Sequence, residues 1–175
     1  MRSRWLICLL SVLMVMACTT TTGVSRYAGE QNRSVKALSQ KEASDLLEGA
    51  GMGYAKAAEL NRYPGPMHTL ELAAALDLTE SQRSAIEAIL AAHKAEARKL
   101  GADVVALERD LDDLFAKGSP SPEAVSAVVG RLASTVGLLR ASHLNAHIAT
   151  TLLLEPKQVD RYVQARGYAG TQHHH

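Results

Sequence analysis

Leu78-Thr79-Glu80-Ser81-Gln82 is the stretch on which the fold turns. The Thr79 hydroxyl can accept from the backbone NH of Gln82, and the Gln82 side chain can reach back to the NH of Thr79, a reciprocal capping box that starts a helix. Beyond it Ile86, Leu90, His93, Ala97, Leu100, Val104, Leu107, Leu111 and Leu114 recur in steps of four and three, which is the spacing of a coiled-coil seam. Gly118-Ser119-Pro120-Ser121-Pro122 breaks that helix, with Ser121 placed to cap the next one and Pro122 at its first position. The second helix repeats the pattern at Val125, Val129, Leu132, Val136, Leu139, His143, Ala146, Thr150 and Leu153.

Two seams joined by a short turn close as an antiparallel hairpin. One register accounts for five apolar pairs: Leu111 with Val125, Leu107 with Val129, Val104 with Leu132, Leu100 with Val136 and Ala97 with Leu139. It also sets His93 opposite His143. Upstream, Ser39-Gln40-Lys41-Glu42 spells another capping box, for a short helix that carries Leu46 and Leu47 and stops at Gly49 and Gly51. A second short helical piece spans Tyr54 to Leu60, and Pro64-Gly65-Pro66 separates it from a helix running Met67 to Leu76. The predicted class is all-α: a long antiparallel hairpin with short flanking helices.

Leu154-Glu155-Pro156-Lys157-Gln158 is a degenerate copy of the first motif, with Glu155 where the capping threonine would stand. The pair of motifs, Leu78, Thr79 and Gln82 with Leu154, Pro156 and Gln158, brackets the hairpin. In this it resembles the bacterial envelope proteins of the Spy/CpxP family, which includes periplasmic chaperones and the heavy-metal sensors CnrX and ZraP. The resemblance covers roughly Glu48 to Tyr168, with helix ends placed to within about 2 to 4 residues.

The N-terminus reads as an export signal. Arg2 and Arg4 precede an apolar run from Trp5 to Met16 interrupted only by Ser11, which has the length of a signal h-region rather than of a stable span. It ends Val15-Met16-Ala17-Cys18, which looks like a bacterial lipobox with Cys18 as the lipidated residue. The expected organisation is a signal peptide over 1–17, a lipidated N-terminus and flexible tether over 18–39, a helical domain over 40–168 and a tail over 169–175. A coil of that tether's length reaches about 25 Å. Cys8 leaves with the signal, so the mature chain has one thiol and can form no internal disulfide.

The 175 residues carry a formal charge of +1, and no basic cluster stands out, so nucleic acid is not an expected partner. The acidic residues Glu108, Asp110, Asp112 and Asp113 near the hairpin tip read as a solvated helix face. His143-Leu144-Asn145-Ala146-His147 has the histidine spacing of a zinc-protease helix, but Leu144 stands where the general-base glutamate belongs. Neither a nucleophile elbow nor a phosphate loop is present. The chain is read as a non-enzyme.

Folding the Met67–Leu76 helix back about Leu78 brings His68 to the level of Ile89 and Leu90, within about one to two turns at 1.5 Å per residue. His147 lies one turn beyond His143 on the flank that also carries Glu87. Imidazoles and a carboxylate converging in this way suit a divalent transition metal such as zinc, nickel, cobalt or copper. In the metal-sensing relatives the ligands come from the helix before the first motif, from an acidic residue on the next helix and from a pair four apart on the third. The resemblance therefore implies His68, Glu87, His143 and His147, with Leu72 where a second histidine of the first helix would be. The alternative is that His93 and His143 are satisfied seam histidines and that His68 and His147 face solvent. His173-His174-His175 is either a tag remnant or a native metal-scavenging tail.

The expected function is that of a periplasmic lipoprotein, anchored to the outer membrane and homodimeric. It would hold unfolded or envelope proteins on an amphipathic surface, or take part in the envelope-stress response. The alternative is a heavy-metal sensor or metal-buffering protein, using a subset of His68, Glu87, His93, His143 and His147.

Overall fold

The structure is a computed structural model that describes residues 23–169. The signal segment, Cys18 and His173–His175 lie outside the described residues. The chain divides into two compact units after Gln31. Among its described residues the first carries turns and the start of a 3-10 turn at Glu30–Asn32; everything below concerns the second.

Its elements are α1 (Gln40–Glu48), α2 (Lys56–Glu59), α3 (Pro66–Glu71), α4 (Glu80–Ala116), α5 (Pro122–Thr151) and α6 (Pro156–Ala165). The described residues contain no strand, so the all-α hairpin is observed. Helix α4 has 37 residues and α5 has 30, so they run for about 55 and 45 Å. Both expected capping boxes are present: Thr79 Oγ1 accepts from Gln82 NH at 3.1 Å while Gln82 Oε1 accepts from Thr79 NH at 3.0 Å, and Ser39 pairs with Glu42 in the same way. Ser121 caps α5 by accepting from Ala124 NH at 3.1 Å, with Pro122 in the first turn.

The helix expected over Met67–Leu76 keeps regular α-helical form only to Glu71, then tightens into turns. It nonetheless stops where the sequence places its end. Asp77 sits at φ 51°, its NH reaches Ala74 O at 3.3 Å, and Leu78 NH reaches Ala73 O at 3.0 Å, the hydrogen-bond pair of a Schellman stop.

The second motif meets the first directly. Gln82 Nε2 donates to Gln158 Oε1 at 2.9 Å and to Leu153 O at 2.8 Å, and Gln158 Oε1 also accepts from Glu155 NH at 2.8 Å. Gln158 Nε2 reaches Leu76 O at 3.2 Å. The two motif glutamines thus hydrogen-bond each other as well as capping their own helices. Gln158 is buried, so these bonds replace solvent that its amide has lost. Arg161 with Asp77 and Arg62 with Asp160 pin α6 from outside.

The hairpin register is the expected one, with the His93 and His143 rings 4.4 Å apart. The core joins Ala97, Leu100, Val104, Val105 and Leu139 to Leu46 of α1 and to Val35. Helix α4 is therefore buried on two sides, by α5 and by α1. Residues 32–39, assigned to the tether from sequence, belong in part to this packed unit: Val35 is buried, Leu38 packs on the core, and Lys36 Nζ lies 2.6 Å from Asp112. The polar composition of the segment, without a sustained apolar period, masked the two apolar residues that bind it.

The distal seam departs from expectation. Val129, paired in sequence with the buried Leu107, is 44 % exposed. Two helices alone cannot enclose a seam on all sides, and α1 covers only the middle of α4. Leu138 and Ile148 are also exposed on α5, as is Leu152 at its C-cap. This helix is long and apolar enough to cross a membrane, but Leu139, His143, Ala146 and Thr150 are buried in the folded unit.

Candidate functional site

At the end of the hairpin next to the two motifs, α3 and the 49–65 segment lie against α4 and α5. They leave a cavity of about 120 Å³ whose walls include Gly65, His68, Leu90, His93, Lys94 and His147. Three of the predicted histidines, from α3, α4 and α5, thus line one space. His143 is the fourth: its ring meets that of His93 edge-on and stacks on Tyr54 with centroids 5.4 Å apart. Glu87 is exposed on α4 and is not part of the cavity wall.

Hydrogen bonds fix the chemistry of two imidazoles. His147 Nδ1 lies 2.7 Å from Tyr63 O, and His68 Nδ1 lies 2.7 Å from Glu71 Oε2. A carbonyl and a carboxylate can only accept, so Nδ1 carries the proton in both rings, and in the neutral form the lone pair is on Nε2. A metal-binding histidine is oriented by the same arrangement, with one nitrogen tied to an oxygen and the other left free. His93 Nδ1 is 3.1 Å from Ser142 Oγ, a contact that either tautomer satisfies.

His143 is buried and its Nε2 has no hydrogen-bond partner. Burial, followed by the His93 and His147 imidazoles and the Lys94 ammonium, pushes it down to about 4. Burial, then Lys94 and His147, lowers His93 in the same direction. Both rings are held in the neutral state, which is the state that ligates metal.

The fit to an ion is one of donors. Free Nε2 atoms on His68 and His147, and an orphaned one on His143, match what zinc, nickel, cobalt or copper takes. Among the described residues no group of three or more His, Cys, Asp or Glu is placed to hold one ion as the side chains stand. Closure of such a site therefore requires side-chain rotation around the cavity.

Sequence reasoning missed Tyr54, Tyr63, Gly65 and Glu59. A Cβ at Gly65 would lie 2.8 Å from both Cε1 and Nε2 of His147, so only glycine lets the ring sit there. Glu59, at the end of α2, approaches His147 Nδ1 to 3.6 Å. These residues lie in the irregular 49–65 segment, where no period marks which side chains turn inward. The glycines and prolines of that segment were the one available signal.

The family model for heavy-metal resistance matches residues 46–161. This chain belongs to that family. It is the family of the Spy/CpxP-like proteins, so the resemblance drawn from the two motifs holds, over nearly the span those motifs marked out. No curated protein and no solved structure shows a match. For a heavy-metal resistance protein, the histidine-lined cavity is the part of the fold with matching chemistry.

Proposed function

We propose that this chain binds a divalent transition metal in the periplasm, as a sensor or buffer, with His68, His147 and the His93–His143 pair as its donors. The observation that carries this reading is the common state of His68 and His147: from helices far apart in sequence, both line one cavity and both commit Nδ1 to an oxygen acceptor. Bound there, a metal would link α3, α4 and α5, and its binding energy would add to their docking. No catalytic step is assigned.

The test is calorimetric titration with zinc, nickel, cobalt and copper, using protein in which His173, His174 and His175 are alanine. Saturable binding that His143→Ala and His147→Ala each weaken at least tenfold is expected. Binding unchanged in both variants overturns the site.

A second reading rests on exposed apolar side chains in the second half of α5 and at its C-cap, namely Leu138, Ile148 and Leu152. At 3.6 residues per turn these three fall on one side of the helix, and a patch of this kind fits a second copy of the chain or an unfolded client, in line with a lipid-anchored, chaperone-like envelope protein. Light scattering would report the dimer. Failure to suppress aggregation of an unfolding model protein at molar excess would remove the client reading.

A further inference from the structure

Glu59 is the least expected group near the histidines. It ends the four-residue helix α2, 88 positions before His147, yet only 13 % of its side chain is exposed. One of its oxygens is held from α6: Tyr162 OH donates to Oε1 at 2.7 Å, while Arg166, at the C-cap of that helix, brings its guanidinium Nε to 3.4 Å as a charge contact without a hydrogen bond. Tyr162 is fully buried, and burial together with the Glu59 hydrogen bond keeps its phenol well above the usual range. The phenol is thus a donor at any ordinary pH. The other oxygen, Oε2, is buried without a hydrogen-bond partner and sits 3.6 Å from His147 Nδ1.

A buried carboxylate oxygen without a partner is costly. Here it faces the N–H that His147 already donates to Tyr63 O. The carbonyl sets the direction of that proton, and the carboxylate adds negative charge behind it. An anion beside Nδ1–H disfavours the tautomer with the Nδ1 lone pair and makes Nε2 the better electron donor. The Tyr162 hydrogen bond, with the Arg166 charge beside it, holds the carboxylate in the folded unit.

We propose that Glu59 is a positioning residue of the histidine site: its unpartnered Oε2 backs the Nδ1–H of His147, and its hold by Tyr162 and Arg166 ties the ligand strength of His147 to the docking of α6. The proposal rests on the metal reading above and replaces Glu87 with Glu59 as the acidic group that serves the site. Glu59 acts through His147 and does not itself touch the ion. Helix α6 then affects the cavity without lining it.

Glu59→Gln keeps size and an acceptor for Tyr162 while removing the charge. In protein with the last three histidines changed to alanine, zinc is the probe, measured by calorimetry, and His147 is followed in the metal-free protein by long-range 15N–1H NMR. The expected result is zinc affinity about 10- to 100-fold weaker, together with a shift of the His147 ring 15N resonances, while the bond to Tyr63 O keeps the proton on Nδ1. Zinc affinity within twofold of the parent overturns the proposal and leaves the metal reading standing. Absence of zinc binding in the parent overturns the metal reading instead; the ring 15N shift then decides Glu59, which an unchanged His147 spectrum in Glu59→Gln refutes. If Glu59→Gln does not fold, Tyr162→Phe gives the same test. It keeps the ring, releases one side of the carboxylate, and should weaken zinc binding in the same direction; an unchanged affinity refutes the coupling to α6.

Discussion

Gly101 tests the packing of α1 on α4. It lies in the middle of α4, where alanine would ordinarily stabilise a helix by about 1 kcal/mol. A Cβ at this position would stand 2.0 Å from Leu46 O and 2.6 Å from Leu46 C. Contacts of this kind settle near 3.5 Å, so the end of α1 would have to retreat by about 1 to 1.5 Å. It has little freedom to do so: Lys94 Nζ donates to Gly49 O at 3.1 Å, Arg98 Nε to Glu48 O at 3.4 Å, and Leu46 is buried in the main core. Lifting α1 re-exposes much of Leu46 and Val35, at about 1.5 to 3 kcal/mol for each side chain fully uncovered. Set against the propensity gain, Gly101→Ala should lose about 2 to 4 kcal/mol. Gly137→Ala and Gly130→Ala are the controls, since nothing lies within 4 Å of a Cβ at either place on α5; each should gain up to about 1 kcal/mol. Urea unfolding of the three variants with a common slope is the assay. A Gly101→Ala protein as stable as the parent, alongside controls that gain, would refute the close approach of α1.

Three further outcomes follow from particular groups. The folded state holds His143 at about 4 against an ordinary 6.5, so the unfolded chain takes up its proton first as pH falls. The stability from the neutral ring is complete above pH 6.5 and is lost between 6.5 and 4, by about 3 kcal/mol at most; urea midpoints across that window should fall steeply, and a slope unchanged in His143→Phe would contradict it. Gln158→Ala removes the amide that joins the two motifs and should cost about 2 to 3 kcal/mol, with amide hydrogen exchange rising first in α6; uniform protection across α6 would count against it. Leu107→Asp puts a charge at a buried position of α4 and should lower stability by at least about 3 kcal/mol, whereas an unchanged melting temperature would disprove the seam.

The long helices, their caps and their register were legible because each is written locally. Thr79 and Gln82 lie within one turn, and the steps of four and three repeat often enough to exclude other periods. The level of His93 with His143 followed from that register alone. What remained hidden was set by elements with no period of their own. Val35 and Leu38 are two apolar residues in a polar segment, and the open face of α4 explains why the first is buried and the second partly so.

Sequence by itself therefore determined an all-helical hairpin bracketed by two related motifs, and with it the family. Tertiary structure alone decided that the motif glutamines bond to each other, that Gly65 gives His147 its place, and that Glu59 comes to 3.6 Å from the Nδ1 of His147. A helix repeats its geometry every few residues and so records its contacts in the chain. A loop folded onto a helix does not, and its contacts exist only once the whole unit has closed.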